Sequence, residues 1–329
     1  MSLRIRPVSG PDDPILQEAA RLLGAGQLVA FPTETVYGLG ADGLNGEAVA
    51  RIYAAKGRPA TNPVILHVEG AASAARLVTS WPPQAQVLAE RFWPGPLTLV
   101  LPAAEVVPHI VRAGGPTVAL RCPDHWIAQQ LIGRLGRPLA APSANRSQHL
   151  SPTRAEHVAA SLGEGVDLIL DGGPTRAGLE STILDLSGAH PRLLRPGPIS
   201  ADTLRALLGS LEEWEGAVAP GERQAAPGMA ARHYAPKARL ELVPQGFAIP
   251  ASRERTAFVA LGALPLLPAG VLGMALPLDP EAVGTRLYAL LHELDDQGME
   301  RVFMELPPED GAWDAVRDRL RRASARETT

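Results

Sequence analysis

The sequence predicts an α/β fold in two units: a twisted, mixed β-sheet domain over residues 1–214, a linker over 215–238 and a smaller α/β domain over 239–329. Three observations carry this. From residue 28 to residue 197, short apolar runs alternate with segments of helical periodicity. The stretch EGAVAPGERQAAPGMAARHYAPKA then loses periodicity and collects Pro, Gly and Ala, as a linker does. Alternation resumes beyond it, and 329 residues is long for a single core.

In chain order, LVAFPT (28–33), PVILHV (63–68), LTLVLPA (97–103), TVALRCP (117–123), PLAAPSAN (138–145), DLILDGG (167–173), STILDL (181–186) and PRLLRPG (191–197) read as strands. GEAVARIYAAKG (46–57), HWIAQQLIGRLG (125–136) and TRAEHVAASLG (153–163) read as helices between them. Some strands follow one another without a helix, so the sheet is mixed rather than purely parallel. SADTLRALLGSLEEW (200–214), opened by a Ser200 cap, closes the unit as a helix. After the linker come strands RLELVP, TAFVALGA and VLGMALPL, helix DPEAVGTRLYALLHELDDQ, strand ERVFMELP and helix GAWDAVRDRLRRASA.

Composition narrows the function classes. Only 4% of the chain is aromatic, which disfavours a nucleic-acid platform of stacked rings. A formal net charge of −4 gives no global attraction to RNA or anionic membranes, so a polyanion site has to be local. Cys122 stands alone, which excludes an internal disulfide and a cysteine-rich zinc site; it reads as a small buried apolar residue in preference to a reactive thiol. The start MSLRIRPVSGPDDP lacks the apolar stretch of a secretory signal, and no run reaches membrane-spanning length, so the expected location is the cytoplasm. Among 31 basic residues only Lys56 and Lys237 are lysines, so a lysine here asks for a reason.

Residues 38–43, GLGADG, match the GxGxxG of dinucleotide-binding folds literally. The context disagrees. Gly43 should lie in the first helical turn, yet Leu44, Asn45 and Gly46 separate it from the apolar helix face. The acidic ribose partner is missing at its spacing, since Glu69 is too distant and KGRPATNP occupies the expected region. The match is therefore an accident of a glycine-rich chain, with Gly38 and Gly40 shaping a turn. No P-loop, HExxH or Cys/His ligand spacing is present.

Lys56-Gly57-Arg58 follows a helix end, where cations also meet the helix dipole favourably. A compact ammonium beside a planar guanidinium equally suits a polyphosphate, with Gly57 permitting close approach and Pro59 and Pro63 fixing the loop. Pro142-Ser143-Ala144-Asn145 either forms a turn or presents a hydroxyl and an amide at a strand end. Arg121 closes TVALR, where it can hold a carboxylate or make a surface ion pair, and Arg195 in LLRPG has the same ambiguity. Together these suggest an anionic ligand at one edge of the sheet.

These stretches resemble the YrdC-like family in its long form with a C-terminal accessory domain. The matching motifs are PTETVYGLG (32–40), KGRP (56–59), NPVILHV (62–68), WPGPLTLVLP (93–102), TVALRCPDH (117–125), APSAN (141–145), STILDL (181–186), LLRPG (193–197) and PGMAARHYAP (227–236). The resemblance implies a YrdC-like sheet domain followed by a Rossmann-like one. It implies joining of L-threonine, bicarbonate and ATP into threonylcarbamoyl-adenylate with release of diphosphate, for N6-threonylcarbamoyladenosine synthesis on tRNA. Mg2+ would accompany ATP, its protein ligands unassigned, and the product would pass to the tRNA threonylcarbamoyltransferase machinery; direct tRNA binding stays open. A double-stranded RNA or tRNA binding module is the second reading, with the acidic balance against it; a carbamoyl-transferring relative is the third, but the zinc-finger and acylphosphatase-like segments of such proteins find no match here.

By the same resemblance, Lys56, Arg58, Ser143 and Asn145 are the catalytic KxR and SxN elements. ATP contacts fall on Arg58, Asn62, Thr117, Ser143, Ser151, Arg195 and Tyr234, and threonine contacts on Thr35, His67, Arg121, Ala141 and Ser181. Arg121 would pair with the amino-acid carboxylate, Thr35 and Ser181 would offer hydroxyls, and Ala141 could contribute only backbone. His67 reads as a neutral hydrogen-bonding group rather than a base, or as a satisfied core histidine. His233 and Tyr234 lie in a linker motif that folds over the nucleotide pocket in the family and would exclude water.

Overall fold

A computed structural model describes residues 5–325 apart from 215, 217, 219–221 and 251–252. Both expected outer boundaries and part of the expected linker thus lie outside the described residues. Within them, eleven strands form one sheet: β1 (Ile5–Pro7), β2 (Val29–Phe31), β3 (Gly38–Asp42), β4 (Ile65–His67), β5 (Leu97–Pro102), β6 (Thr117–Arg121), β7 (Leu139–Ala140), β8 (Leu168–Asp171), β9 (Thr182–Asp185), β10 (Arg192–Arg195) and β11 (Glu212–Glu213). Across the sheet they lie in the order β1-β8-β2-β3-β7-β4-β6-β5-β9-β10-β11, with parallel and antiparallel pairs intermixed. A second sheet, β12 (Arg239–Val243), β13 (Thr256–Leu261), β14 (Leu272–Leu276) and β15 (Arg301–Glu305), is parallel throughout in the order β12-β15-β13-β14.

The helices are α1 (Pro14–Gly24), α2 (Gly46–Lys56), α3 (Ala71–Ala75), α4 (Pro83–Phe92), α5 (Trp126–Leu135), α6 (Ala155–Leu162), α7 (Ala201–Leu208), α8 (Pro280–Asp296) and α9 (Asp314–Ala323). Their ends follow local chemistry. Asn45 caps α2 by accepting from the Glu47 and Ala48 amides, and Gly57 ends it in the left-handed conformation at φ 58°. Ser200 caps α7 through the Thr203 amide, as expected, but that helix stops before Gly209, and the LEEW segment supplies the short edge strand β11 instead.

Strand alternation divides the large sheet into two faces. Leu66, Leu99, Leu120, Leu184 and Leu193 point into the principal core, beneath helices that include α2 and α6. Ile65, Val100, Ala119 and Ile183 point the other way, onto Ala226 and Met229 of the linker. His67 and Arg121 extend that second face, because each lies two residues beyond one of its members. The functional side chains therefore gather on a face roofed by the linker, with His67, Arg121 and Arg195 at the last residues of β4, β6 and β10, the strand ends where the sequence placed them.

GLGADG is no turn. Its first five residues are the buried strand β3, antiparallel to both β2 and β7. A Cβ on Gly40 would stand 2.7 Å from Cε1 of Phe31 and 3.0 Å from the Val29 carbonyl; one on Gly43 would stand 2.8 Å from the Pro138 carbonyl. These glycines answer to close strand packing, with no phosphate involved. Gly40→Ala is accordingly expected to cost about 1–3 kcal/mol by overpacking, read as a lower denaturation midpoint in urea.

The two units share a core. Val36, Leu150, Leu179 and Tyr234 pack in one cluster with Leu287, Tyr288 and Leu291 of α8 and Val316 and Leu320 of α9.

Candidate active site

Beneath the linker is a small cavity lined by Thr35, Arg58, His67, Arg121, Ala141, Ser143, Ser181, Arg195 and Tyr234, all expected from the sequence. Thr33, Glu180, Gly228 and His233 join them without having been singled out as ligand contacts. The remaining expected residues stand behind this wall.

Lys56, the last residue of α2, is buried, and its ammonium donates to the carbonyls of Ser143 (2.6 Å) and Asn145. It fastens the SAN loop rather than lining the cavity. Burial and the Arg58 charge beside it hold its pKa well below that of an ordinary lysine. Asn145 completes the clasp by donating its amide to the Arg146 and His149 carbonyls. Asn62 accepts Arg58 Nη2 at 2.5 Å, fixing that guanidinium, whose pKa burial brings to about 10. Ser151 donates to Glu180 Oε1. Thr117 begins β6, four residues before Arg121, and lies outside the lining.

Arg121 is buried at the end of β6, donating to Thr35 Oγ1 at 2.7 Å and ion-paired with Glu34 at 2.8 Å. Thr35 in turn bonds Thr33 Oγ1 at 2.8 Å. Nε of Arg121 has no hydrogen-bond partner, and neither ring nitrogen of His67 has one of good geometry. Buried donors and acceptors without partners are expensive, so this group is built to receive a polar ligand. Burial, then the Arg121 charge, keeps His67 neutral far into the acid range, with the Leu139 backbone opposing weakly. A pH profile of ligand binding at this group is therefore expected to show no inflection near the ordinary histidine value of 6.5.

Arg195, on β10, three strands from Arg121 of β6 in the sheet order, donates its guanidinium to the Ser181 carbonyl (2.9 and 3.1 Å) and hydroxyl (3.2 Å) and reaches the Tyr234 hydroxyl at 3.4 Å. Ser181 is also bonded to Thr98 Oγ1 at 2.7 Å. Tyr234 is buried at φ 61°, a strained conformation for a non-glycine residue, with the His233 ring 4.0 Å away. The free space is about 40 Å³, far below the roughly 300 Å³ or more of ligand sites. The linker residues Pro227, Gly228, His233 and Tyr234 form part of the cavity wall.

Comparison with known proteins joins these motifs to one family. The family model described as "Telomere recombination" matches residues 21–197, and that of the "Threonylcarbamoyl-AMP synthase, C-terminal domain" matches residues 199–325. A threonylcarbamoyl-AMP synthase of Pyrococcus abyssi is 42% identical over 316 residues, spanning 93% of both chains.

The chain belongs to the threonylcarbamoyl-AMP synthase family.

Another member, from Bacillus subtilis, is 40% identical over 326 residues, covering 95% of this chain and 94% of its own. The crystal structure of P. abyssi Sua5 complexed with L-threonine superposes with a TM-score of 0.88 at 38% identity, covering 98% of each chain. Full-length similarity to members of this family extends the resemblance through the C-terminal unit, where sequence motifs were weakest.

What sequence reasoning missed is the set of acidic partners. Glu34 sits inside PTETVYGLG and Glu180 immediately precedes STILDL, so both were adjacent to recognised motifs; burial of a carboxylate could not be read from either.

Proposed function

We propose that this pocket makes threonylcarbamoyl-adenylate from L-threonine, bicarbonate and ATP, releasing diphosphate and water. The observation that supports it best is that one cavity is lined both by an unsaturated Arg121–His67–Thr35 group and by Arg58, Arg195 and Ser143. The first suits an amino-acid carboxylate and its polar substituents, and the second a polyphosphate.

In this reading Arg121 holds the threonine carboxylate, Thr35 and Ser181 orient the amino and hydroxyl groups, and neutral His67 offers a hydrogen bond. Threonine nitrogen adds to the carbonyl carbon of bicarbonate with loss of water. An oxygen of the resulting carbamate then attacks the α-phosphorus of ATP as the bond to diphosphate breaks. Arg58 and Arg195 stabilise charge on the transferring group, and Lys56 and Asn145 hold Ser143 in place; positioning and electrostatics carry the step. Asn62 acts by fixing Arg58, while Thr117 and Ser151 complete the nucleotide half once the linker has moved. The linker opens for entry and closes over the mixed anhydride to keep water out.

Among the described residues no group of three His, Cys, Asp or Glu side chains is placed to hold a metal ion. Glu180 is committed to Arg319, Tyr288 and Ser151. These residues do not themselves form a Mg2+ site, so the ion is expected to arrive on the phosphate oxygens of ATP. No described helix is long and apolar enough to cross a membrane. A cytoplasmic place, and delivery of the adenylate to the enzymes that modify tRNA, complete the proposal.

Incubation with ATP, threonine and 13C-bicarbonate tests it by mass spectrometry. The expected product is an adenylate carrying one labelled carbon and requiring threonine. AMP formation independent of threonine, or an unlabelled adenylate, would overturn the reading.

A further inference from the structure

The C-terminal unit reaches the site through several side chains, of which Arg319 makes the most bonds to the catalytic unit. Arg319 of α9 has no solvent exposure, yet it lies against the catalytic unit rather than in its own core. Its Nε donates to Glu180 Oε2 at 2.8 Å, Nη1 to the Pro196 carbonyl at 2.9 Å and to Asp318 at 2.8 Å, and Nη2 to the Glu180 carbonyl at 3.3 Å. Its guanidinium carbon stands 5.2 Å from the centre of the Tyr234 ring. Tyr288 of α8 adds a hydroxyl to Glu180 Oε2 at 3.1 Å.

Glu180 is the receiving end. It lines the cavity, it precedes Ser181, and its second oxygen takes the hydroxyl of Ser151. Burial alone would raise its pKa, but Arg319, Arg195 and the hydrogen bonds from Ser151 and Arg319 outweigh that and keep it ionised. A buried ion pair adds little to stability compared with apolar residues of the same size. What this one supplies is geometry: a carboxylate with both oxygens assigned, and thereby a fixed Ser151 rotamer.

α9 also grips the linker. Arg322 donates to the Ala230 carbonyl, and its own carbonyl accepts from the His233 amide at 3.2 Å. Floor and roof of the nucleotide half are thus held by neighbouring turns of one helix of the C-terminal unit.

We propose that Arg319 is a positioning residue for ATP, acting through Glu180 to set Ser151. This rests on the reading of Ser151 as a nucleotide contact. It gives the C-terminal unit a defined task, completion of the ATP half of the site, with the threonine half left to the catalytic unit alone.

Steady-state kinetics of the full-length chain test it. Arg319→Met is expected to raise the KM for ATP about tenfold while the threonine KM stays within about twofold, the loss expected when a hydrogen bond to a charged group is removed. Ser151→Ala should raise the ATP KM similarly, and the double variant Arg319→Met with Ser151→Ala should add under about threefold to Ser151→Ala alone, because the two act in series. A purely structural Arg319 would lower the melting temperature and move both KM values together or neither; that result overturns the proposal. If Arg319→Met does not fold, Tyr288→Phe takes its place. It removes a single hydroxyl from Glu180, and an ATP-selective KM rise supports the proposal while unchanged KM values overturn it. An unchanged ATP KM in Ser151→Ala would instead mean that the nucleotide reading of Ser151 has failed. A rise there with none in Arg319→Met sinks the positioning role alone.

Discussion

Arg121→Ala is expected to raise the KM for threonine by roughly 30-fold to several-thousand-fold, the equivalent of about 2–5 kcal/mol for truncating one partner of a buried charge pair. ATP affinity, measured by calorimetry, should move by less than about threefold, since Arg195 and Arg58 are untouched. The selectivity follows from position. Arg121 sits between Thr35 and Glu34 with its Nε unpaired, on a strand separated from that of Arg195 by β5 and β9. The truncation also strands Glu34, a buried carboxylate that would lose its only ion-pair partner among the described residues. Stability should therefore fall together with threonine affinity. Adding Glu34→Gln is expected to recover much of the melting temperature while recovering no threonine binding. Parallel recovery of both would mean that Arg121 serves the fold and that the carboxylate is held elsewhere.

The second large effect concerns Lys56. Lys56→Met leaves the carbonyls of Ser143 and Asn145 without their donor, at about 1–3 kcal/mol for each group left unsatisfied. Turnover should fall about a hundredfold, the scale of an ångström-sized misplacement of a reacting group. Lys56→Arg retains charge but presents a planar fork where a compact ammonium fills a two-carbonyl cradle, so a large part of the loss should persist.

The pH dependence has a definite sign. The folded-state pKa of Lys56 lies below the unfolded value of about 10.5, so the unfolded chain binds more protons between the two. Stability attributable to this residue therefore rises with pH through that window. ATP binding runs the other way. Loss of the ammonium charge would loosen its hold on the Ser143 and Asn145 carbonyls, so affinity should weaken as pH climbs through the lowered pKa, earlier than an ordinary lysine would allow. In Lys56→Arg the limb due to Lys56 should vanish, because a guanidinium holds its charge to higher pH than an ammonium, leaving only the loss at about pH 10 that buried Arg58 contributes. An identical alkaline limb in that variant would assign the titration to another group.

Local patterning made much of the fold legible. Alternating apolar runs located β4, β5, β6, β8, β9 and β10, and capped periodic stretches located α2, α5 and α6. β1, α1, α3 and α4 were not read from the sequence: β1 and α3 are only three and five residues long, whereas α1 carries a regular apolar face of Ile15, Leu16, Ala19, Ala20 and Leu23 that makes it legible as a helix. GLGADG failed for another reason: glycines that look like loop formers serve as a strand when Phe31, Leu66 and Pro138 press against them.

The same division holds for function. Sequence by itself determined the family, the α/β class, and the short motifs that carry Arg58, His67, Arg121, Ser143, Ser181 and Arg195, since each motif is a contiguous run of characteristic residue types. Only tertiary structure decided that these gather on a linker-roofed sheet face, that Lys56 fastens a loop instead of facing the cavity, and that Arg319 meets Glu180 across 139 positions of chain. Those are contacts between segments far apart in sequence, and a charge's role there depends on which buried partner the fold brings to it.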